Sequence, residues 1–269
     1  MPSIPCRSFG NMSKKIRPMP RKIRLDQLVF DLGLATSRER AKRLVMAGRV
    51  FLVEGDQKTR LDKPGTQVSP DAHLEVRGKE RFVGRGGYKL LTAIEHFNIS
   101  VSGKVALDVG ASTGGFTDCL LQHGAARVHA VDVGYGLLDS TLRDDERVVV
   151  LERVNMRYAP RDLIPEPVDM VTVDVSFISL AKVLPACMRF LKPGGEVVAL
   201  VKPQFELGPG STRKGVVRDP ELQQQAVDQV VDFAASELGL DYVGSVPSKI
   251  KGPKGNQEHL VYFKNPILI

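Results

Sequence analysis

From about residue 100 onward, short Val-rich runs recur between stretches of helical spacing: Val105–Val109, Val128–Asp132, Val148–Leu151, Met170–Asp174 and Val197–Val201. Runs that stay apolar at successive positions belong to strands covered on both faces, and strands separated by helices pair in parallel. The pattern predicts an open α/β sheet whose ligand crevice lies beyond the carboxyl ends of its strands. A chain of 269 residues, 42% hydrophobic and 26% charged, has enough apolar material to fill such a core. No apolar stretch approaches the roughly 20 residues of a bilayer span. The amino end carries no hydrophobic leader, and the three cysteines (Cys6, Cys119, Cys187) show no close pairing. These features predict a protein of a reducing compartment, the cytoplasm.

The charge is unevenly placed. Residues 1–49 hold 12 Lys/Arg against 3 Asp/Glu, whereas the other 220 hold 26 against 28. A basic excess confined to one end points to a polyanion, with nucleic acid the leading candidate. Residues 1–21, with Pro2, Pro5, Pro18 and Pro20 and almost no periodicity, read as a tail without fixed structure. From Lys22 the pattern is ordered. Helices are expected over Leu25–Leu32 and Arg38–Ala47, the second opened by a Thr36/Glu39 capping box and closed at Gly48. A β-prone run Val50–Val53, a turn at Glu54-Gly55-Asp56 and a short strand His73–Val76 follow. The second helix is apolar along Ala41, Leu44 and Val45 and mostly positive elsewhere. Arg24, Arg38, Lys42, Arg43 and Arg49 are the candidate contacts to phosphates, although a solvated cationic helix fits the same pattern.

This first module, residues 22–77, resembles the S4 RNA-binding domain through Arg24-Leu25-Asp26, Ser37-Arg38, Ala41, Leu44, Gly48, Val50 and Val53. The resemblance implies structured RNA as the partner, read by shape and backbone. Residues 78–84 read as a linker and 85–265 as the second domain.

The first Val-rich run ends in Asp108-Val109-Gly110-Ala111-Ser112-Thr113-Gly114-Gly115-Phe116. Glycines there let the backbone turn tightly and approach a ligand at the start of a helix. Ser112 breaks the G-x-G-x-x-G dinucleotide pattern, and no Gly-Lys-Ser/Thr follows as in a nucleotide phosphate loop. Asp132, ending the second run, can accept hydrogen bonds from both hydroxyls of a nucleoside ribose, which suits NAD and S-adenosylmethionine alike. Asp108 tips the choice. A carboxylate within the glycine motif suits the cationic amino-acid portion of S-adenosylmethionine and would repel a pyrophosphate. The candidate donor-binding residues are Asp108, Gly110, Ser112, Thr113, Gly114, Gly115 and Phe116, joined by Asp132, Val133 and Asn155.

Four ionisable residues stand at the ends of expected elements. Lys89 follows Arg85-Gly86-Gly87-Tyr88 at the start of an amphipathic helix, and Asp174 ends the fourth strand. Lys202 ends the fifth strand, and Glu258 opens a final β run, Glu258–Phe263. If the fourth and fifth strands are neighbours, Asp174 and Lys202 meet over the crevice. Methyl transfer from a sulfonium to an oxygen needs alignment and proton removal, with Lys202 as base, Asp174 orienting it, and Lys89 with Glu258 fixing the hydroxyl. Each of the four would also serve as an ordinary structural ion pair.

The chain resembles the TlyA family of ribosomal RNA 2′-O-methyltransferases, often labelled haemolysin-like, and more distantly the FtsJ-type ribose methyltransferases. The likeness runs from about Arg24 to Phe263. It rests on 84–90 (Gly-Arg-Gly-Gly-Tyr-Lys-Leu), 107–117, 132–136, 151–155, 174–180 (Asp-Val-Ser-Phe-Ile-Ser-Leu), 200–206 and 255–258. It implies a Rossmann-like class I methyltransferase with a mostly parallel seven-stranded sheet, preceded by a small α+β S4 domain. It also implies S-adenosylmethionine as cofactor and the ribose of cytidine in ribosomal RNA or a ribosomal subunit as acceptor. The Lys-Asp-Lys-Glu tetrad of ribose methyltransferases falls on Lys89, Asp174, Lys202 and Glu258, with no metal and no membrane required. Competing expectations are a non-catalytic RNA-binding or ribosome-assembly factor and, from the family label, a membrane-active protein.

Overall fold

The computed structural model of the chain describes residues 22–78, 81–208, 211–212 and 215–267; the expected tail 1–21, with Cys6, lies outside them. Two compact units divide the chain, Met1–Lys79 and Glu80–Ile269.

In the first unit the order is β1 (Ile23–Arg24), α1 (Leu25–Asp31), α2 (Arg38–Met46), β2 (Val50–Glu54), β3 (Gln57–Leu61), β4 (Gln67–Val68) and β5 (Leu74–Val76). Leu25, Leu28, Val29, Ala41, Leu44, Val45 and Val50 form its core. The cap of α2 falls one residue later than expected. Ser37, not Thr36, has the extended backbone an N-cap needs, and its Oγ accepts from the Arg40 N–H at 3.1 Å. The strand β3 has no apolar alternation to announce it; pairing with β2, from Val50↔Leu61 to Glu54↔Gln57, makes Gln57–Leu61 a strand.

The second unit runs α3 (Gly86–Phe97), β6 (Val105–Val109), α4 (Gly115–Gln122), β7 (Arg127–Asp132), α5 (Ser140–Arg143), β8 (Val148–Glu152), β9 (Val168–Val173), α6 (Leu184–Met188), β10 (Leu191–Val201), α7 (Pro203–Glu206), α8 (Pro220–Leu238), β11 (Asp241–Pro247) and β12 (His259–Lys264). These strands form one seven-stranded sheet in the order β8-β7-β6-β9-β10-β12-β11. Only β12 runs antiparallel to its neighbours. The order reverses at β6, with β7 on one side and β9 on the other, and such a switch point opens a crevice at the carboxyl ends. All five expected strands are present, four of them to within two residues, while β10 begins six residues earlier than expected, at Leu191. The edge strand β11 escapes sequence reading because Tyr242 and Val243 are exposed and its pairing is broken by a bulge at Tyr242/Gly244.

From Arg81 the expected linker is a packed part of the second unit. Phe82 is buried, its ring edge-on to Tyr88 at 5.1 Å, and the Val83 N–H donates to Asp118 Oδ2 at 2.7 Å.

Candidate active site

Pleat alternation decides which side chains meet. On β9, Val171 and Val173 belong to the same buried cluster as Ala226, Val227 and Val230 of α8, while Met170 belongs to the cluster that holds the apolar faces of α3 and α4. On β10, Val197, Ala199 and Val201 take the α8 side, and Val198 and Leu200 the other. On β12, Val261 and Phe263 take the α8 side, and Leu260 and Tyr262 the other. Continuing each alternation past the strand end puts Asp174, Lys202 and Glu258 on the α3 side, and α3 carries Lys89.

The four residues form two ion pairs. Lys89 Nζ lies 2.6 Å from Glu258 Oε2, and Lys202 Nζ lies 2.5 Å from Asp174 Oδ1. Lys202 Nζ also donates to Ser176 Oγ at 2.9 Å. Glu258 is 0% exposed. A charge removed from water to that extent is tolerable only beside a counter-charge, which fixes Lys89 against it. The adjacency of β9 and β10, with Val173 paired to Ala199, brings Asp174 and Lys202 together across 28 residues of sequence.

These pairs face a cavity of about 600 Å³, within the range of small-molecule sites. Its walls come from the glycine turn after β6, the start of α3, the segments after β9 and β10, and the turn at 251–256. Of the expected donor-binding residues, Gly110, Ser112, Thr113, Gly115 and Phe116 line it; Asp108, Gly114, Asp132, Val133 and Asn155 do not. Gly110, at φ +85°, cannot be replaced freely, since a Cβ there would lie 2.4 Å from the Asp174 carbonyl oxygen. Backbone is therefore pressed against backbone between the turn and the start of the Asp174 segment.

Asp132 flanks the turn. Its Oδ2 accepts from the Ser112 N–H at 2.8 Å and its Oδ1 from the Gly134 N–H at 2.7 Å, leaving the second acceptor position of each oxygen. Val133 is exposed beside it. Asn155 caps a 3₁₀ turn, Met156–Tyr158, by accepting from the Arg157 N–H at 3.2 Å.

Asp108 departs from its expected position against the charged end of a donor. Pleat parity points it beneath α4, on the side of Ala106, where it is fully buried. Thr117 Oγ1 donates to one of its oxygens at 2.7 Å and Thr172 Oγ1 to the other at 2.9 Å. Asp108 braces the floor of the turn. Desolvation pushes its carboxyl up to about 6 against the hydrogen bonds from Thr117 and Thr172. An acid raised in this way adds stability below the unfolded-state value near 3.9 and loses it as pH rises through about 6. Asp108→Asn should therefore gain on the wild type by roughly 2 kcal/mol between pH 4 and pH 7. Thermal melts of both proteins at several pH values test this, and parallel Tm profiles would refute it.

The structure adds Phe177, Lys254 and Glu206, to which sequence reading gave no role. Five described non-glycine residues have left-handed φ: Asn98, Ser112, Arg153, Phe177 and Lys254. Three of them, Ser112, Phe177 and Lys254, line the cavity, and such conformations persist where the surroundings enforce them at functional sites. The Phe177 ring is 89% exposed at the cavity mouth, 5.0 Å from the ring of Phe205. Glu206 ties the Phe177 segment to α7. It accepts from Ser179 Oγ at 2.6 Å and the Leu180 N–H at 3.0 Å, and burial raises its carboxyl above the usual range. Phe177 and Glu206 fall within the 174–180 and 200–206 runs that carry the family resemblance, but residue type and spacing alone assign them no role.

In the first unit, Arg38, Lys42 and Arg43 are exposed. Arg24 is engaged, donating to both oxygens of Asp26 at 2.9 and 2.8 Å and, with Arg38 4.0 Å from Oδ2, holding that carboxyl below its usual range. Arg49 donates to the Gly78 carbonyl oxygen at 2.7 Å.

A sheet of this order with one antiparallel strand, carrying a glycine turn beside lysine–carboxylate pairs, defines a Rossmann-like methyltransferase. The FtsJ-like methyltransferase family pattern matches residues 82–265, and the S4 domain pattern matches residues 23–74. The chain belongs to the FtsJ-like methyltransferase family, in the TlyA group that joins this domain to an S4 domain. It is 47% identical to a candidate rRNA methyltransferase, YqxC, of Bacillus subtilis, over 91% of this chain and 87% of that one. It is 45% identical to the 16S/23S rRNA (cytidine-2′-O)-methyltransferase TlyA of Mycobacterium tuberculosis, over 91% of each chain. A solved structure described as a candidate haemolysin of Streptococcus thermophilus superposes with a TM-score of 0.71 at 44% identity, over 92% of this chain and 90% of that one. Among the described residues, no helix is long and apolar enough to cross a membrane, and no cluster of three or more metal-ligating side chains occurs.

Proposed function

We propose that the protein transfers a methyl group from S-adenosylmethionine to the 2′-hydroxyl of a cytidine in ribosomal RNA, acting in the cytoplasm. The observation that carries this reading is the meeting of two acid-anchored lysines, Lys89 and Lys202, in one cavity beside the glycine turn. The naming of the 45%-identical relative supports the acceptor.

The residues present fit the donor. The turn at Gly110 keeps side-chain bulk off the cavity floor, and Asp132 retains acceptor positions suited to ribose hydroxyls. Ser112 and Thr113 offer the cavity polar groups, and its volume lies in the range of small-molecule sites. When bound, the donor supplies a methyl group already activated on a sulfonium. Lys202 takes the proton from the 2′-hydroxyl as the new oxygen–carbon bond forms and the sulfur–methyl bond breaks, the sulfur leaving as a neutral thioether. Asp174 and Ser176 hold that amine in place and stabilise it once charged. Lys89, fixed by Glu258, donates a hydrogen bond to the acceptor oxygen and aligns it with the methyl carbon. The exposed Phe177 ring, backed by Phe205, offers a stacking surface for the base. Arg38, Lys42 and Arg43 of the first unit contact phosphates of structured RNA.

The test is methylation of purified ribosomal subunits with a labelled methyl donor, followed by nucleoside analysis. Label is expected on a ribose oxygen of cytidine; label on a base overturns the reading.

A further inference from the structure

Five basic and two acidic residues line the cavity. Both acids are committed, Glu258 to Lys89 and Asp174 to Lys202. Arg85, Lys251 and Lys254 have no acidic partner among the described residues, and all three are exposed. They belong to one braced wall. Arg85 Nη2 donates to the Lys251 carbonyl oxygen at 2.8 Å, tying the start of α3 to the turn at 251–256. Within that turn the Gly252 N–H donates to the Asn256 carbonyl oxygen at 2.8 Å. Asn256 accepts from the Val217 N–H at 3.0 Å and donates to the Gly215 carbonyl oxygen at 2.9 Å. The turn also abuts the catalytic pairs, because a Cβ on Gly252 would lie 2.0 Å from Glu258 Oε1. Lys254 holds a left-handed φ of 59°, and its ammonium sits beside Gly215 at the cavity wall.

Three cations without an acidic partner among the described residues, gathered on one wall of the cavity, create a local positive field that attracts an anion. The donor brings one carboxylate and two positive charges, so it cannot balance the wall. A polyanion can. We propose that Arg85, Lys251 and Lys254 form a phosphate seat that holds the RNA backbone next to the acceptor ribose and so selects which 2′-hydroxyl enters the cavity. This seat rests on the reading of RNA as substrate. It differs from the basic helix of the first unit in acting at the reacting nucleotide.

The double variant Lys251→Gln/Lys254→Gln tests it. Both residues are exposed, so the protein is expected to fold. Single-turnover methylation of ribosomal RNA should show KM raised about tenfold near 0.15 M salt, with kcat within threefold of wild type. The slope of log affinity for RNA against log salt should become shallower by about 1.4, two phosphate contacts at ~0.7 each. Donor Kd by calorimetry should stay within twofold. The Lys249→Gln control removes a charge already paired with Glu95 at 2.8 Å and should leave the slope unchanged. An unchanged KM and slope overturns the proposal. So does a loss of donor affinity comparable to the KM change, which would assign the wall to the donor carboxylate. The salt slope is read from RNA binding alone, so label found on a base would overturn the ribose reading without touching this result.

Discussion

Lys202→Ala is expected to slow methyl transfer by about 10²–10⁴-fold, the usual contribution of a positioned general base. Donor affinity should change little, because Lys202 faces Asp174 and Ser176 rather than the glycine turn. The informative companion is Lys202→Arg. Guanidinium keeps the positive charge and can keep the pairing with Asp174, but it stays protonated at any working pH. If position 202 removes a proton, the Arg variant remains at least 10²-fold slow; if it serves only as a cation, the variant recovers. Single-turnover rates at saturating donor and RNA, with calorimetry for the donor, separate the two. Recovery to within tenfold of wild type would remove Lys202 as base while leaving the ion-pair geometry intact.

Glu258→Ala should have the largest effect on stability. The carboxylate is fully buried and its partner Lys89 nearly so, and deleting one member leaves an uncompensated buried charge costing about 3–5 kcal/mol. A unit of this size should melt roughly 10 °C lower as a result. Removing both charges, in Lys89→Met/Glu258→Leu, replaces the pair with apolar groups and should recover most of that loss. Activity should stay absent in the double variant, since no donor remains to hold the acceptor hydroxyl. Thermal melts and methylation assays on the three variants decide the matter. A single variant as stable as wild type, or an active double variant, would show that the pair is neither a buried charge balance nor part of the chemistry.

Three members of the tetrad were legible because each sits at one end of an apolar run, whereas Lys89 lies in the first turn of α3. Asp174 and Lys202 follow Val-rich strands, and Glu258 precedes another. The unexpected position of Asp108 has the opposite cause. It lies inside β6, one residue short of the strand end, so pleat parity rather than motif membership sets its direction, and parity turns it under α4. The motif identified the turn correctly but not which of its side chains look into the cavity. Gln57–Leu61 and Asp241–Pro247 were missed as strands because these edge strands bury no residue on either face and so carry little apolar alternation. The Phe177 and Lys254 conformations had no sequence signature, since neither residue type favours a left-handed φ.

The amino-acid sequence alone determined the alternation of strands and helices, the glycine turn, the basic first module and the family. Those properties are set by local spacing, composition and short motifs, which act within a few residues. Tertiary structure alone decided that β9 lies between β6 and β10, and so that Asp174 meets Lys202. It also decided that β12 returns antiparallel beside β10 and sets Glu258 against Lys89. Strand order is a global choice among packings, and side chains 28 to 169 residues apart become neighbours only once that choice is made. The same holds for the cations at 85, 251 and 254, whose shared wall exists only because α3 and the 251–256 turn close on each other.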